Sequence, residues 1–193
     1  MDLGILRHVE EVWPSDNTEA FDRLRIQEGF TQAYTPKIMS AWVTDVPNMN
    51  GRSTPLTYQF LVAMQGALGV GANLNKWSDE DSALATKLMT FYQSIRRTVQ
   101  EGDLYRLLSP CSGELTANSY VSEDRSEAVL FACLHSQQAI RLHGLDPRTV
   151  YRAISWNSKD EQKLSGAFLM EHGYNIRLRG DYDSTAIVFR RVP

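Results

Sequence analysis

The amino-acid sequence predicts a two-part fold in which βα units precede an antiparallel β-sandwich. In residues 1–103, three short apolar segments are each followed by a segment with helical periodicity. Alternating strands and helices indicate a parallel sheet, as in a (β/α)8 TIM barrel. In residues 104–193, short runs rich in β-branched and aromatic residues alternate with turns, which is typical of an antiparallel sandwich. We therefore expect two domains, 1–103 and 104–193.

The first βα unit surrounds the stretch Trp13–Thr18. The apolar residues before it predict a short strand that ends near Val12, and a tight turn follows. A helix is expected over Thr18–Glu28, with Gly29 at its end. Because functional residues gather at the carboxyl ends of strands in α/β proteins, Asp16 on this turn is a candidate functional residue.

Two further units follow in the first part. Ile38–Thr44 predicts a buried strand, residues 45–51 predict a loop, and Leu56–Leu68 has helical spacing. Leu68–Ala72 is expected to form the third strand, with glycines that permit close packing.

The clearest helix is predicted to begin after Ser78. Ser78 and Asp81 have the spacing of a capping box, and Gly102 is a natural residue for the helix end. The expected apolar stripe consists of Leu84, Leu88, Phe91, Ile95 and Val99.

In the second part, each predicted strand is bounded by turn residues. The predicted strands are Tyr120–Val121, Ala128–Leu134, Ile140–His143, Thr149–Ile154, Ile176–Arg179 and Thr185–Phe189.

Composition argues against several classes of function. The 193 residues have a formal net charge of −3 and no basic patch, so we expect no nucleic-acid partner. No apolar run approaches the roughly 20 residues that cross a bilayer, so no membrane partner is expected. His135, His143 and His172 lack the spacing of metal ligands, and ordinary histidines are favoured over a metal site. We expect no metal and no cofactor. Whether Cys111 and Cys133 pair or stay free is left open.

Asp16 has two interpretations. Ser15, Asp16, Asn17 and Thr18 are all preferred helix caps, and Glu19 follows Asp16 at three residues. The pattern alone therefore favours a helix N-cap. The alternative is a catalytic acid, which the pattern cannot distinguish from a cap.

Several runs of residues together carry a family resemblance: 2–6, 11–18, 21–24, 26–27, 41–45, 64–66, 71–77, 104–107 and 144–147. They resemble the C-terminal part of the α-galactosidases of glycoside hydrolase family 36, close to the fungal type. The similarity extends over nearly the whole chain, and such a long run is more specific than any single motif.

The resemblance implies a role for Asp16. The aspartate of the family's Ser-Asp-Asn/Asp-Thr motif is the general acid/base of a retaining α-galactosidase, in which two carboxyl groups flank the glycosidic bond. Trp13 is then expected to bind substrate, because sugars stack on aromatic faces; its plain alternative is a core residue. The implied substrate is an α-galactoside oligosaccharide such as raffinose or melibiose. A homo-oligomer is left open for the complete enzyme.

Neighbouring residues have plainer expected roles. Asn17 and Arg23 are expected to cap the helix and to pair with Asp22 or Asp16. Trp42 and Asp45 are interpreted as a core aromatic and a turn former, with a place on the sugar-binding face as the alternative. Arg52 is expected to be solvated, with a carboxylate partner as the alternative.

The sequence also departs from the family pattern. The nucleophile belongs to a Lys-Trp-Asp motif upstream of the acid/base, whereas Lys76-Trp77 here is followed by Ser78 and lies downstream. We therefore expect a C-terminal fragment, a split gene product or a misassigned start, without the nucleophile and inactive alone. Secretion and a cytoplasmic location both stay open. The alternative function, from another class, is a non-catalytic carbohydrate-binding or interaction module.

Overall fold

The computed structural model describes residues 3–112, 115–133, 138–158, 161–176, 178 and 182–192. The α-helices are α1 (Ala20–Thr31), α2 (Leu56–Ala63), α3 (Asp79–Glu101) and α4 (Gly166–Glu171). The first five strands are β1 (Ser40–Val43), β2 (Ala67–Val70), β3 (Asp103–Leu108), β4 (Thr116–Val121) and β5 (Glu127–Cys133). The other five are β6 (Gln138–Ile140), β7 (Val150–Ser155), β8 (Glu161–Ser165), β9 (Tyr174–Ile176) and β10 (Ser184–Arg191). Short 3-10 helices span Leu3–Arg7, Pro36–Ile38 and Leu74–Lys76.

The first part contains a small parallel arrangement. β1 and β2 pair in parallel over their full lengths. Val12 forms a parallel bridge with Met39: its N–H donates to the Ile38 carbonyl at 2.7 Å, and its carbonyl accepts from the Ser40 N–H at 3.0 Å. The first predicted strand is thus reduced to one bridging residue, because Leu3–Arg7 folds as a 3-10 helix instead of pairing.

The helix after this bridge differs from its predicted bounds. α1 begins at Ala20 rather than Thr18, and it continues through Gly29 to Thr31. The residues after Gly29 continue the helix, and the rings of Phe30 and Tyr34 lie 5.0 Å apart at its end. Aromatic pairs four residues apart stabilise such a turn.

α2 ends earlier than the predicted Leu68, at Ala63. The reason is close packing at Gly66, where a Cβ atom would lie 2.7 Å from the Met39 carbonyl oxygen. Only a residue without a side chain permits this approach, and β2 begins at once with Ala67. The third predicted strand is therefore present, but it begins one residue earlier and ends two residues earlier than expected.

The prediction for α3 is confirmed. The Ser78 hydroxyl accepts from the Asp81 N–H at 3.0 Å, and the Asp81 carboxylate accepts from the Ser78 N–H at 3.3 Å. This capping box begins the helix, and Gly102 follows its last residue. Leu88, Ile95 and Val99 of the predicted stripe are buried.

The second part is organised by a six-stranded antiparallel sheet with the order β3-β4-β5-β10-β7-β8. Four of its strands contain predicted segments, but β3 and β8 were not predicted as strands. β10 is central, since it pairs with β5 from Ser184↔Cys133 to Arg190↔Glu127 and also with β7. β6 and β9 form a separate antiparallel pair. The strand expected at 176–179 lies partly outside the described residues.

Over β4, β5 and β10, both faces of the six-stranded sheet are buried. One face, with Tyr120, Val129, Phe131 and Val188, packs against α2 and α3 in a single core with β1. The other face, with Leu130 and other apolar residues, packs against α4 and the β6–β9 pair. The antiparallel sheet is confirmed, and the β6–β9 pair and α4 cover its second face.

Polar contacts also connect the two parts. The Tyr120 hydroxyl donates to the Gln65 carbonyl at 3.0 Å, and the Asn118 side-chain amide donates to the Gln65 side chain at 2.8 Å. The Thr98 hydroxyl of α3 donates to the Glu127 carboxylate of β5 at 2.5 Å. No helix in the described part of the chain is long and apolar enough to cross a membrane.

Candidate active site

Three loops leave the same edge of the parallel arrangement. Val12, β1 and β2 lie side by side in parallel, so their carboxyl ends point the same way. The segments 13–19, 44–55 and 71–78 follow these ends. The first two are joined where the Thr44 hydroxyl donates to the Thr18 hydroxyl at 3.0 Å. The second and third are joined where the Asn73 N–H donates to the Asp45 carboxylate at 3.1 Å.

Asp16 lies on the first loop with its side chain exposed. It is not the helix cap that the residue pattern favoured. The N-cap of α1 is Glu19, whose two carboxylate oxygens accept from the N–H groups of Phe21 and Asp22 at 3.1 Å and 2.9 Å. The capping-box interpretation of Asp16 is therefore wrong, and its carboxylate is not used at the start of the helix.

Asn17 fixes the chain directly after Asp16. Its side-chain oxygen accepts from the Glu19 N–H at 3.0 Å, and its amide nitrogen donates to the Asp22 carboxylate at 2.9 Å. The Asn17 N–H in turn donates to the Ser15 hydroxyl at 3.1 Å. Both neighbours of Asp16 are thus held in place, and the structural role expected for Asn17 is confirmed.

The second loop supplies the partner for the cap. Arg52 lies 2.5 Å from a carboxylate oxygen of the fully buried Glu19 and 3.4 Å from Asp22, and its guanidinium group covers the ring of Phe21 at 4.9 Å. A solvated Arg52 was the favoured expectation, and it is wrong; the alternative of a carboxylate partner is confirmed. The residue pattern contains no local signal for this pair, because its members are 33 residues apart.

Arg23 does not pair with Asp22 or Asp16. It is buried, and it donates to the Ser40 carbonyl of β1 at 2.7 Å. Burial lowers its pKa to about 10. The expected ion pair is wrong because Arg23 points from α1 onto the sheet instead of along the helix surface.

An aromatic cluster borders the same edge. The rings of Trp13 and Trp42 are 5.0 Å apart, and Trp13 is exposed. The Trp42 indole N–H donates to the Ser40 hydroxyl at 2.8 Å, and that hydroxyl donates to Glu11 at 3.3 Å. Ser40 and Trp42 alternate with the core residues Ala41 and Val43 of β1, so they face away from α2 and α3.

Gly69 of β2 and Gly71, just after its end, make room for Trp42. A Cβ atom at Gly71 would lie 2.5 Å from the Trp42 ring, and one at Gly69 would lie 3.2 Å from it. The half-buried Trp42 is thus held against β2 beside Trp13. Trp13, whose ring contacts Trp42, and the exposed Asp16 both lie on the loop formed by residues 13–19.

The remaining candidate residues have separate environments. The rings of His143 and Tyr105 are stacked 6.1 Å apart, and those of His172 and Phe168 lie 5.1 Å apart. His135 lies outside the described residues. Cys111 is exposed and free, and Cys133 is buried and free. Among the described residues, no three His, Cys, Asp or Glu side chains are grouped so that they could hold a metal ion.

Comparison with known families identifies this arrangement. The sequence model of the Melibiase family matches residues 1–102, and that of the glycosyl hydrolase family 36 C-terminal domain matches residues 115–189. The chain belongs to glycoside hydrolase family 36. The resemblance inferred from the sequence motifs is confirmed.

Both fungal and bacterial members of family 36 are similar to the chain. Alpha-galactosidase C of Emericella nidulans is 34% identical over 98% of the chain, and alpha-galactosidase Mel36A of Lactobacillus acidophilus is 35% identical over 99%. The match covers 26% of each of these proteins. The chain thus spans about a quarter of the length of these family 36 relatives.

A solved structure has the same fold. A variant of the family 36 α-galactosidase AgaA of Geobacillus stearothermophilus, crystallised with raffinose, superposes with a TM-score of 0.91. Its identity is 32% over 98% of the chain and 27% of that protein. A family 36 relative of this fold therefore binds a galactoside oligosaccharide.

Proposed function

We propose that the chain supplies the general acid/base of a retaining α-galactosidase, and that Asp16 is that residue. The observation that carries the proposal is the exposed Asp16 carboxylate, at the carboxyl edge of the parallel arrangement and not used as the helix cap. A helix cap was the main alternative, and Glu19 takes that role. The proposed substrates are α-galactosyl oligosaccharides.

In this mechanism, two carboxyl groups lie roughly 5–5.5 Å apart on either side of the glycosidic bond. Asp16 protonates the leaving oxygen while a second carboxylate attacks the anomeric carbon. Asp16 then takes a proton from the water that hydrolyses the glycosyl-enzyme intermediate. No Lys-Trp-Asp motif occurs in this sequence, so the proposed nucleophile belongs to residues outside it.

Trp13 is proposed to border the sugar subsite. Its exposed ring lies against Trp42, so it is held in place while one face stays available to the apolar side of a sugar ring. Trp42 shares this face of the sheet, which supports the alternative interpretation of Trp42 as a residue on the sugar-binding side.

We further propose that residues 1–103 are βα units of a (β/α)8 barrel and that residues 104–193 form the C-terminal β-domain. The parallel register of Val12, β1 and β2 supports the first assignment. The placement of α2 and α3 on one side of β1, with Ser40 and Trp42 on the other, agrees with helices outside a barrel and side chains inside it. The change to antiparallel pairing at β3 supports the boundary.

The test uses a family 36 enzyme completed with an upstream barrel segment that contains the Lys-Trp-Asp motif. Asp16→Ala should spare the glycosylation step on a nitrophenyl α-galactoside far more than that on melibiose, because a good leaving group needs little protonation. Added azide needs no general base, so it should accelerate turnover and give a galactosyl azide of retained configuration.

Asp45→Ala is the matched control, since Asp45 is a second carboxylate at the same edge. It should show neither the leaving-group dependence nor the azide effect. Equal losses on good and poor leaving groups in Asp16→Ala, without any azide effect, would remove Asp16 from the mechanism. The 193-residue chain alone should not hydrolyse a nitrophenyl α-galactoside, and clear turnover by the pure protein would contradict the proposed division of the two carboxylates.

A further inference from the structure

A cavity of about 730 Å³ opens on the face of the six-stranded sheet that lies away from α2 and α3. Strands β7, β8 and β10 form one side of it, and α4 with β9 forms the other. Small-molecule sites have volumes of about 300–1,000 Å³, so the cavity has the size of a ligand site. No step of the proposed hydrolysis uses its residues.

The floor of the cavity is apolar. Leu164, Ile176 and Ile187 line it; Ile176 and Ile187 belong to the core between the sheet and the β6–β9 pair, and Leu164 packs against that core. Ile187 lies on β10, the central strand of the sheet. Strand residues therefore supply the floor of the cavity.

The rim of the cavity carries side-chain amides. Gln162 of β8 and Asn175 of β9 are exposed, and within the described part of the chain neither side chain has a hydrogen-bond partner. Asn157 uses its side-chain oxygen to accept from the Ser155 hydroxyl at 2.9 Å, which leaves its NH2 group available. The Gln162 and Asn175 amides each supply donors and an acceptor, and Asn157 supplies donors, which is what adjacent hydroxyl groups on one ligand require.

Two aromatic rings complete the rim. Gly173 has a φ of +82°, and this turn brings the end of α4 next to the start of β9. As a result, Phe168 and Tyr174 line the same cavity, with Phe168 44% exposed. The Tyr174 ring packs edge-on against Phe189 at 5.2 Å, so its orientation is fixed before any ligand binds.

The charge of the cavity selects among ligands. Among the described lining residues, Asp183 is the one charged side chain, and a carboxylate accepts hydrogen bonds from hydroxyl groups. Neutral amides, one carboxylate and the exposed Phe168 ring suit a neutral ligand that has many hydroxyl groups and apolar C–H faces. We propose that this cavity binds a neutral oligosaccharide, at a site that does not depend on Asp16.

The test is a titration of the complete 193-residue chain, labelled with 15N, with stachyose and with maltotetraose up to about 20 mM, because weak sites have dissociation constants near 1 mM. At least one of the two sugars should shift the amide signals of cavity residues such as Gln162, Asn175 and Thr185. Phe168→Leu keeps an apolar side chain but removes the ring, and it should weaken binding at least about fivefold. Gln162→Ala combined with Asn175→Ala should do the same through lost hydrogen bonds.

The matched controls are Met89→Ala and Gln93→Ala, which change an exposed apolar and an exposed amide side chain of α3. Both should bind as the unchanged chain does. Asp16→Ala should also bind unchanged, which separates this site from the proposed active site whatever the fate of that proposal. The inference is overturned if neither sugar shifts the cavity signals, if the shifts lie only around Trp13 and Trp42, or if both cavity variants bind normally while their circular dichroism shows a native fold.

Discussion

The two sheets on either side of α2 are built differently. β1 of the parallel pair buries Ala41 and Val43 against the helices, but its other face carries Ser40 and Trp42 and connects to Glu11. The six-stranded sheet instead buries apolar side chains on both faces. Burial on both faces stabilises the fold, whereas the second face of β1 carries side chains joined by hydrogen bonds.

Buried charge follows the same division. Among the described residues, the buried side chains with a formal charge are Glu19 and Arg23, and both lie at the start of α1. The buried polar residues of the antiparallel sheet are neutral, for example Ser119 and Ser184. The candidate active site is therefore held by a few specific polar contacts, and the sheet is held by packing. The following predictions test that difference, from the largest effect to the smallest.

Phe131→Ala should have the largest effect. Phe131 is buried on the sheet face toward α2 and α3, and its ring packs edge-on against Tyr120 at 5.8 Å. Removing such a side chain from a core costs about 3–5 kcal/mol of unfolding free energy, which urea denaturation measures. Val150→Ala, at an exposed position of β7, should stay within about 0.5 kcal/mol of the unchanged protein. A small loss for Phe131→Ala would show that packing on this face is not what stabilises the sheet.

Arg52→Met should have the second largest effect, because it leaves the buried Glu19 carboxylate without its partner. We expect a loss of about 2 kcal/mol, below the full value for breaking a buried pair because the Arg52 side chain is 33% exposed. Arg97→Met provides the control: Arg97 also pairs with a glutamate, Glu101, but its side chain is 93% exposed. Its loss should be below about 1 kcal/mol. Equal losses of unfolding free energy in the two variants would mean that the burial of Glu19 does not strengthen its ion pair with Arg52.

A pH-dependent loss of stability should come from Cys133, which lies where the two parts meet, packed near Tyr58 and Val62. Burial raises the pKa of its thiol to about 12, so the folded state keeps a proton that the unfolded chain releases above its ordinary value. The contribution of this thiol to the unfolding free energy is therefore fully present below about pH 8.5, and it declines as pH rises toward 12. Between about pH 8 and pH 9.5 the unfolding free energy should fall by about 1 kcal/mol from this group.

Urea denaturation at the two pH values measures this change. Cys133→Ala should remove most of the pH-dependent fall even though it lowers stability at both values. Cys111→Ala, at the exposed free cysteine, should leave the fall unchanged. An identical fall in all three proteins would assign it to other groups.

The smallest effect is expected for Asp16→Ala. Because Glu19 caps α1, the change should alter the unfolding free energy by less than about 0.5 kcal/mol. Ser78→Ala is the comparison, since Ser78 is a proven cap with a complete capping box; it should cost about 1 kcal/mol. A loss in Asp16→Ala as large as that in Ser78→Ala would restore the cap interpretation.

Elements with purely local signals were predictable from the sequence. α3 is the best example, because the residues of its capping box and of its apolar stripe all lie within one continuous segment of the sequence. β3 and β8 were not predicted: β8 is an edge strand, and its sequence Glu161–Ser165 is mostly polar, without the alternation of a half-buried strand. The pattern favoured Asp16 as the N-cap of α1, whereas the cap is Glu19. Arg52, the ion-pair partner of Glu19, lies on another loop and gives no local signal in the sequence.

The site was predictable to a similar degree. The position of Asp16 after a β-segment and before a helix was expected, although the segment shrank to the single bridge at Val12. The contact between Trp13 and Trp42 and the pairing of Glu19 with Arg52 depend on the tertiary fold, and no spacing in the sequence encodes them. The direction of Arg23 toward the Ser40 carbonyl was missed for the same reason.

The central position of β10 has a consequence for the order of events during translation. The ribosome makes β3, β4, β5, β7 and β8 first, but β5 and β7 have no link within the sheet until residues 184–191 emerge between them. At about 5–20 residues per second, the 88 residues between positions 103 and 191 take roughly 4–18 s to synthesise. During that time the nascent chain exposes unpaired strand edges, so this segment is where we expect chaperones to bind while it leaves the ribosome.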